Sequence, residues 1–246
     1  MRQSLLIAFL LPLVLWGTEP LQWGENVTGV TTRFATEKKE IALTFDACGG
    51  SFRSSQYDAG LIDYLARNKI PATLFINSRW IKSNPEIFAR LAANPLFEIA
   101  NHGTAHRPLS INGRSVYGIE GTASAQEVVA EIEGNAELIE KLTGKRPLFF
   151  RSGTAYYDEA AVKIARERGV EIGGFSVLGD AGATFGPEKV AAQVTGSKSG
   201  DIVLLHMNHP ESGTRAGTIE AIERLRAAGF SFVRLSDVKE RLIRIP

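Results

Sequence analysis

Phe97-Glu-Ile-Ala-Asn-His-Gly-Thr-Ala-His106 is a short apolar run that stops at two histidines four residues apart. A run of this length and composition reads as a buried strand whose polar end lies on its C-terminal side. The same shape recurs along the chain. Ile41 to Phe45 ends at Asp46, Leu148 to Phe150 at Arg151, and Ile202 to Leu205 at His206. Further strands are expected at Ala72 to Ile76, at Glu171 to Leu178 with Asp180 just past it, and at Phe230 to Arg234.

Between these runs lie helix signals. Asp58 to Asn68 places Leu61, Ile62 and Leu65 on one face, and Asn84-Pro85 opens a helix to about Ala93. Ser124 and Glu127 have capping-box spacing before a long helix that stops at Gly144, with Val128, Ile132, Ile139 and Leu142 inward. Asp158 to Arg168, Pro187 to Val194 and Arg215 to Ala228 complete the set, and Ser110 to Thr122 reads as a surface loop. About seven strand–helix alternations predict an α/β single domain with a parallel sheet wound into a distorted (β/α) barrel. A flat doubly wound sheet is the alternative, but no glycine-rich fingerprint follows the first strand. In a barrel, strand-end residues gather at one mouth, where such folds place their chemistry. Asp46, His102, His106, Arg151, Asp180 and His206 are therefore expected to converge.

Composition narrows the partners. Lys and Arg total 28 against 27 for Asp and Glu, with no basic stripe, so no nucleic-acid partner is expected. A single cysteine, Cys48, excludes an intramolecular disulfide. Arg2 followed by the apolar run Leu5 to Trp16 has the form of a secretory signal and is short for a membrane span. Residues 1–20 are read as a signal peptide or N-terminal anchor, 21–39 as a polar linker, and 40–246 as the catalytic domain. The protein is expected to be exported, periplasmic or secreted, touching a membrane only through an uncleaved N-terminal segment. Protein partners and oligomeric state are not legible.

The ordered motifs resemble the polysaccharide deacetylases of the NodB-homology type, carbohydrate esterase family 4, from about Lys39 to Val238. Thr44-Phe-Asp46 is similar to the family's first motif, Asn101-His-Gly-Thr-Ala-His106 to its paired-histidine motif, Phe150-Arg151 to the start of its third, and Leu204-Leu-His206 to its last. The resemblance implies a NodB-like, TIM-related barrel and a divalent metal, usually zinc and sometimes cobalt or nickel, on His102 and His106. It implies Asp46 as general base, Arg151 as its orienter, His206 as general acid and Asp180 as the acid that tunes this histidine. The chemistry is coherent, since amide hydrolysis needs an activated water, a polarised carbonyl and a proton for the leaving nitrogen.

Two departures stand out. The family's first motif continues with a second aspartate that completes the metal site, and this chain has Ala47, then Cys48-Gly49-Gly50. Water, Asp46, Cys48 or a later acid such as Asp58 are the replacements to consider. The third motif is longer than usual, Arg151-Ser-Gly-Thr-Ala-Tyr-Tyr157, and Tyr156 is the expected source of the oxyanion-stabilising amide. Trp23, Trp80 and His209 carry no decisive pattern, His209 reading as a rim residue. The expected activity is metal-dependent removal of N-acetyl groups from a polysaccharide or oligosaccharide, peptidoglycan first. The alternatives are a glycan-binding pseudoenzyme that Ala47 would explain, and the same hydrolysis on a non-glycan amide or an O-acetyl ester.

Overall fold

The computed structural model describes residues 19–246, so the N-terminal apolar run lies outside the described residues. In chain order the elements are β1 (Thr31–Phe34), β2 (Glu40–Ala47), α1 (Ala59–Arg67), β3 (Ala72–Ile76), α2 (Ser78–Ser83), α3 (Pro85–Ala93), β4 (Phe97–Asn101) and α4 (Ala125–Thr143). There follow β5 (Phe149–Phe150), α5 (Glu159–Glu167), β6 (Glu171–Ile172), β7 (Val177–Leu178), α6 (Pro187–Thr195), β8 (Ile202–His206), α7 (Thr214–Ala227), β9 (Ser231–Val233) and β10 (Leu242–Arg244).

Seven strands form one parallel path, β6-β5-β4-β3-β2-β8-β7, and β9 joins beside the start of β2. β2 and β3 are buried along their whole lengths, which is why they read as unbroken apolar runs. The main core lies between these central strands and the apolar faces of α1, α3 and α7, with Leu61, Phe88 and Ile222 among the residues removed from water. The caps are those the sequence signals. Asp58 accepts from the Leu61 amide, Ser124 from Glu127 and Asp158 from Ala161, and Gly144 ends α4 in the left-handed region at φ 71°.

The sheet curls into a half-barrel with the predicted layering, but three details differ. The strand expected over 171–178 is two short strands at opposite edges: β6 pairs with β5, and β7 pairs with β8. Residues 173–176 bridge the open side, and the Gly173-Gly174 pair there cannot sustain a strand through its middle. The segment expected as a linker is part of the fold, because Val27, Val30 and Phe34 are buried and β1 pairs antiparallel with β10. Its partner is more than two hundred residues away in sequence, so local polarity conceals it. Leu142, expected inward, is 53% exposed, since the buried stripe of α4 ends at Ile139. No described helix is long and apolar enough to cross a membrane.

Candidate functional site

Parallel strands present all their C-terminal ends to one face, so the polar residues that end them meet. Asp46 and His206 are register partners across β2 and β8, and Asn101 pairs with both Ile76 and Phe150 one residue before His102 and Arg151. Asp46, Cys48, His106, His206 and His209 line one cleft of about 520 Å³.

Arg151 is fully buried and spends its guanidinium on three fixed acceptors. Nη1 donates to Asp46 Oδ1 at 2.7 Å, Nε to the Gly173 carbonyl at 2.8 Å and Nη2 to the Gly174 carbonyl at 2.9 Å. The plane also lies on the Phe75 ring, 4.1 Å from its centroid. The two glycine carbonyls belong to the bridge across the open side of the sheet, so the irregular crossing aims the arginine, and the arginine orients Asp46.

Across the cleft, His206 Nδ1 meets Asp180 Oδ1 at 2.9 Å, while Asp180 Oδ2 accepts from the His206 amide and from Thr214 Oγ1. Burial alone would raise the Asp180 carboxyl, but the His206 charge and these hydrogen bonds hold it below the usual carboxylate range. Burial would likewise lower His206, yet the Asp180 charge and hydrogen bond, with Cys48 nearby, keep the imidazole well above its ordinary value. Its Nδ1–H is committed to Asp180, leaving Nε2 for the cleft.

The metal-ligating set can be tested on its own geometry. The ligand atoms of Cys48, His102 and His106 all lie within 4.8 Å of one another. His102 Nδ1 is 3.0 Å from the Arg151 carbonyl, which can only accept, so the proton sits on Nδ1 and Nε2 offers its lone pair to the cluster. His106 Nε2 is buried without any hydrogen-bond partner. An orphaned imidazole nitrogen beside a second nitrogen and a sulfur fits a divalent metal. Asp46 Oδ2 stands 3.7 Å from His102 Nε2 but Asp46 is outside that mutual set, its other oxygen being held by Arg151. Asp58 is no ligand, for it caps α1 and faces Arg215 Nη1 at 3.4 Å.

The loop that carries the histidines is held from behind by residues the motif reading did not single out. Glu131 of α4 accepts from the Ala105 and Arg107 amides, and the Thr104 amide donates to the Glu131 carbonyl. His106 sits at φ 63°, a conformation that a non-glycine residue holds only against such fixed contacts. Gly103 is at φ 83°, and a Cβ there would come 2.3 Å from Glu131 Oε1. Asn77 Nδ2 donates to the His102 and Gly103 carbonyls, and Asn135 Nδ2 to Asn101 Oδ1 and the Ile76 carbonyl. A signal did exist. Glu131 and Asn135 are a polar i, i+4 pair on the buried side of α4, where a solvated helix has no use for them.

In the longer third-motif turn the Tyr156 amide faces Thr154 Oγ1 at 3.4 Å, and Gly153, Thr154 and Ala155 line the cleft. The Tyr156 ring instead joins an aromatic cluster with Trp23 and Tyr117, at 5.8 and 5.6 Å between centroids. Its hydroxyl, hydrogen-bonded to Tyr117, is pushed up to about 12. Trp80 is a core residue, and its indole N–H donates to the Gln56 carbonyl.

The family profile described as polysaccharide deacetylase matches residues 34–173, more than half of the chain. A peptidoglycan-N-acetylglucosamine deacetylase of Bacillus cereus is 29% identical over 213 residues, covering 85% of this chain and 92% of the relative. Among solved structures, a carbohydrate esterase family 4 pseudoenzyme of Bacillus anthracis matches with a TM-score of 0.69 at 22% identity, over 84% of this chain and 67% of that one. A family 4 acetyl xylan esterase of Clostridium thermocellum, in complex with a cobalt ion, matches at 0.64 and 23% identity, over 82% and 91%. The two structural likenesses establish the shared half-barrel.

Proposed function

The chain belongs to the polysaccharide deacetylase family, and from that premise we propose that it is a metal-dependent hydrolase removing N-acetyl groups from a cell-envelope or extracellular glycan. Peptidoglycan is the first candidate, as the Bacillus cereus relative is a deacetylase of that polymer. The observation that carries the reading is the pair of oriented proton carriers flanking one ligand cluster: Asp46 fixed by Arg151, and His206 fixed by Asp180.

His102 and His106 would hold the metal, which when bound would polarise the acetamide carbonyl and acidify a water. Asp46 would serve as the base through Oδ2, the carboxylate oxygen that Arg151 leaves free. His206 carries the proton that the departing amine needs, and Asp180 keeps it there until the C–N bond breaks. Phe175, Leu178 and Leu204 give the cleft an apolar wall that suits an acetyl methyl group. An export signal or anchor in residues 1–20 would bring the enzyme to its polymer.

Ala47 in place of a carboxylate favours one second reading, a catalytically idle glycan binder. Acetate release from N-acetylglucosamine oligomers and peptidoglycan, with zinc or cobalt added, separates the two, and an O-acetyl substrate in parallel measures ester preference. Release that disappears in the His102→Ala, His106→Ala double variant is expected. Undiminished release in that variant overturns the metal mechanism, and glycan binding without turnover at any metal loading selects the second reading.

A further inference from the structure

The family's missing carboxylate leaves a gap that the cleft itself fills. Ala47 is fully buried in the apolar core cluster with Ile76 and Trp80 and offers no donor atom. The next residue, Cys48, brings Sγ to 3.8 Å from His102 Nε2. Two ligands bound tetrahedrally to one zinc, at about 2.3 Å for sulfur and 2.0–2.1 Å for nitrogen, stand roughly 3.6 Å apart. The pair is already at a coordination-edge separation.

We propose that Cys48 is the third metal ligand of this protein, its thiolate standing in for the carboxylate and biasing the site toward thiophilic divalent ions such as zinc and cadmium. The inference rests on the metal-dependent reading above but concerns the ligand set rather than the reaction. Besides the sulfur itself, the orphaned and buried His106 Nε2 points to a shared ion, because nothing in the protein satisfies it. A thiolate also supplies the same single negative charge that an aspartate would have supplied. Softness is what changes, and soft ligands prefer zinc over magnesium or manganese.

Asp46 is the weaker candidate. Its Oδ2 stands 3.7 Å from His102 Nε2, but Asp46 lies outside the mutual set that Cys48 forms with both histidines, and Arg151 holds its other oxygen. The turn after Cys48 is built to hold it instead. Gly49 adopts φ 70° with its space closed by the backbone of α2, an added Cβ falling 2.4 Å from the Trp80 nitrogen. The Gly49 amide donates to the Ser54 carbonyl, and Ser54 Oγ donates back to the Gly49 carbonyl.

The single cysteine makes the test direct. Full-length protein is stripped with chelator, and the rate of thiol modification by an alkylating or disulfide reagent is followed with and without one equivalent of zinc. Protection by zinc is expected, as is a thiolate-to-metal charge-transfer band in the cobalt-loaded protein. Cys48→Asp should still bind cobalt but lose the band, and its preference for cadmium over zinc should fall. Cys48→Ala should weaken zinc binding by at least about 10-fold, the smaller loss seen when only a residue behind the ligands is removed. Equal thiol reactivity with and without bound zinc, or a Cys48→Ala variant that binds zinc like the parent, overturns the proposal. Zinc protection without acetate release would instead sink the enzymatic reading and leave the ligand assignment standing. Metal-dependent release with an unprotected thiol would do the reverse.

Discussion

At the scale of single residues, the cleft holds two buried pairs of opposite design. Arg151 meets Asp46 with a permanent charge, and Asp180 meets His206 with a titratable one. Although burial pulls His206 down, Asp180 holds its pKa well above the ordinary imidazole value, so the imidazole is protonated at neutral pH, as the proposed general acid requires, and loses that proton as pH rises through the raised value. Activity should therefore decline on the alkaline side as His206 deprotonates. In Asp180→Asn this alkaline limb should move to lower pH, with kcat reduced by about 10²-fold or more if general-acid help is removed. A pH–rate profile unchanged in position would refute the coupling. On the acid side, burial again opposes but the Asp46 charge and Cys48 contact hold His102 above its ordinary value. A metal must displace that proton, so zinc affinity should weaken as pH falls, which titration of zinc binding at two pH values measures.

At the scale of elements, the histidine loop depends on α4 as much as on β4. Each strand end sets where the loop begins, but Glu131 sets its path by accepting from two successive-turn amides. Glu131→Gln replaces half of that acceptor with a donor facing backbone N–H groups. Zinc affinity should drop by about 10–100-fold, the range for residues that support ligands from behind, with the far-ultraviolet dichroism unchanged. Equal affinity in the variant would mean that the loop holds its own shape. The two-histidine spacing was legible because strand and motif are local. The brace was only half legible: Glu131 and Asn135 share the apolar side of α4 with Val128 and Ile132, but what they hold is not known until the sheet against which α4 packs is known.

At the scale of the whole molecule, the half-barrel stays open between β6 and β7, and the early and late segments close over its flank. β1 pairs with β10, and Glu171 of β6 takes a bidentate pair from Arg244 at 2.8 Å for both contacts, together with the Thr31 hydroxyl. Phe34, 2% exposed, plugs the cluster formed with Phe75, Phe149 and Leu235. Phe34→Ala should cost about 3–5 kcal/mol of stability, a large share of what a domain this size possesses. A thermal melt would register it, whereas an unchanged melting temperature would return the 21–39 segment to the linker role.

Strand ends, helix caps and the ordered polar residues were set by sequence alone, because each depends on neighbours within a few positions: the Asp46, His102, His106, Arg151 and His206 motif positions are all of this kind. Tertiary structure decided what depends on distant partners. It split the 171–178 segment between two sheet edges, turned an apparent linker into a strand, and set the Tyr156 ring against Trp23 and Tyr117. It also brought Cys48 beside both histidines, which only the packed ends of β2 and β4 can do. Periodicity reports which face of an element is buried; only the assembled sheet reports what lies opposite.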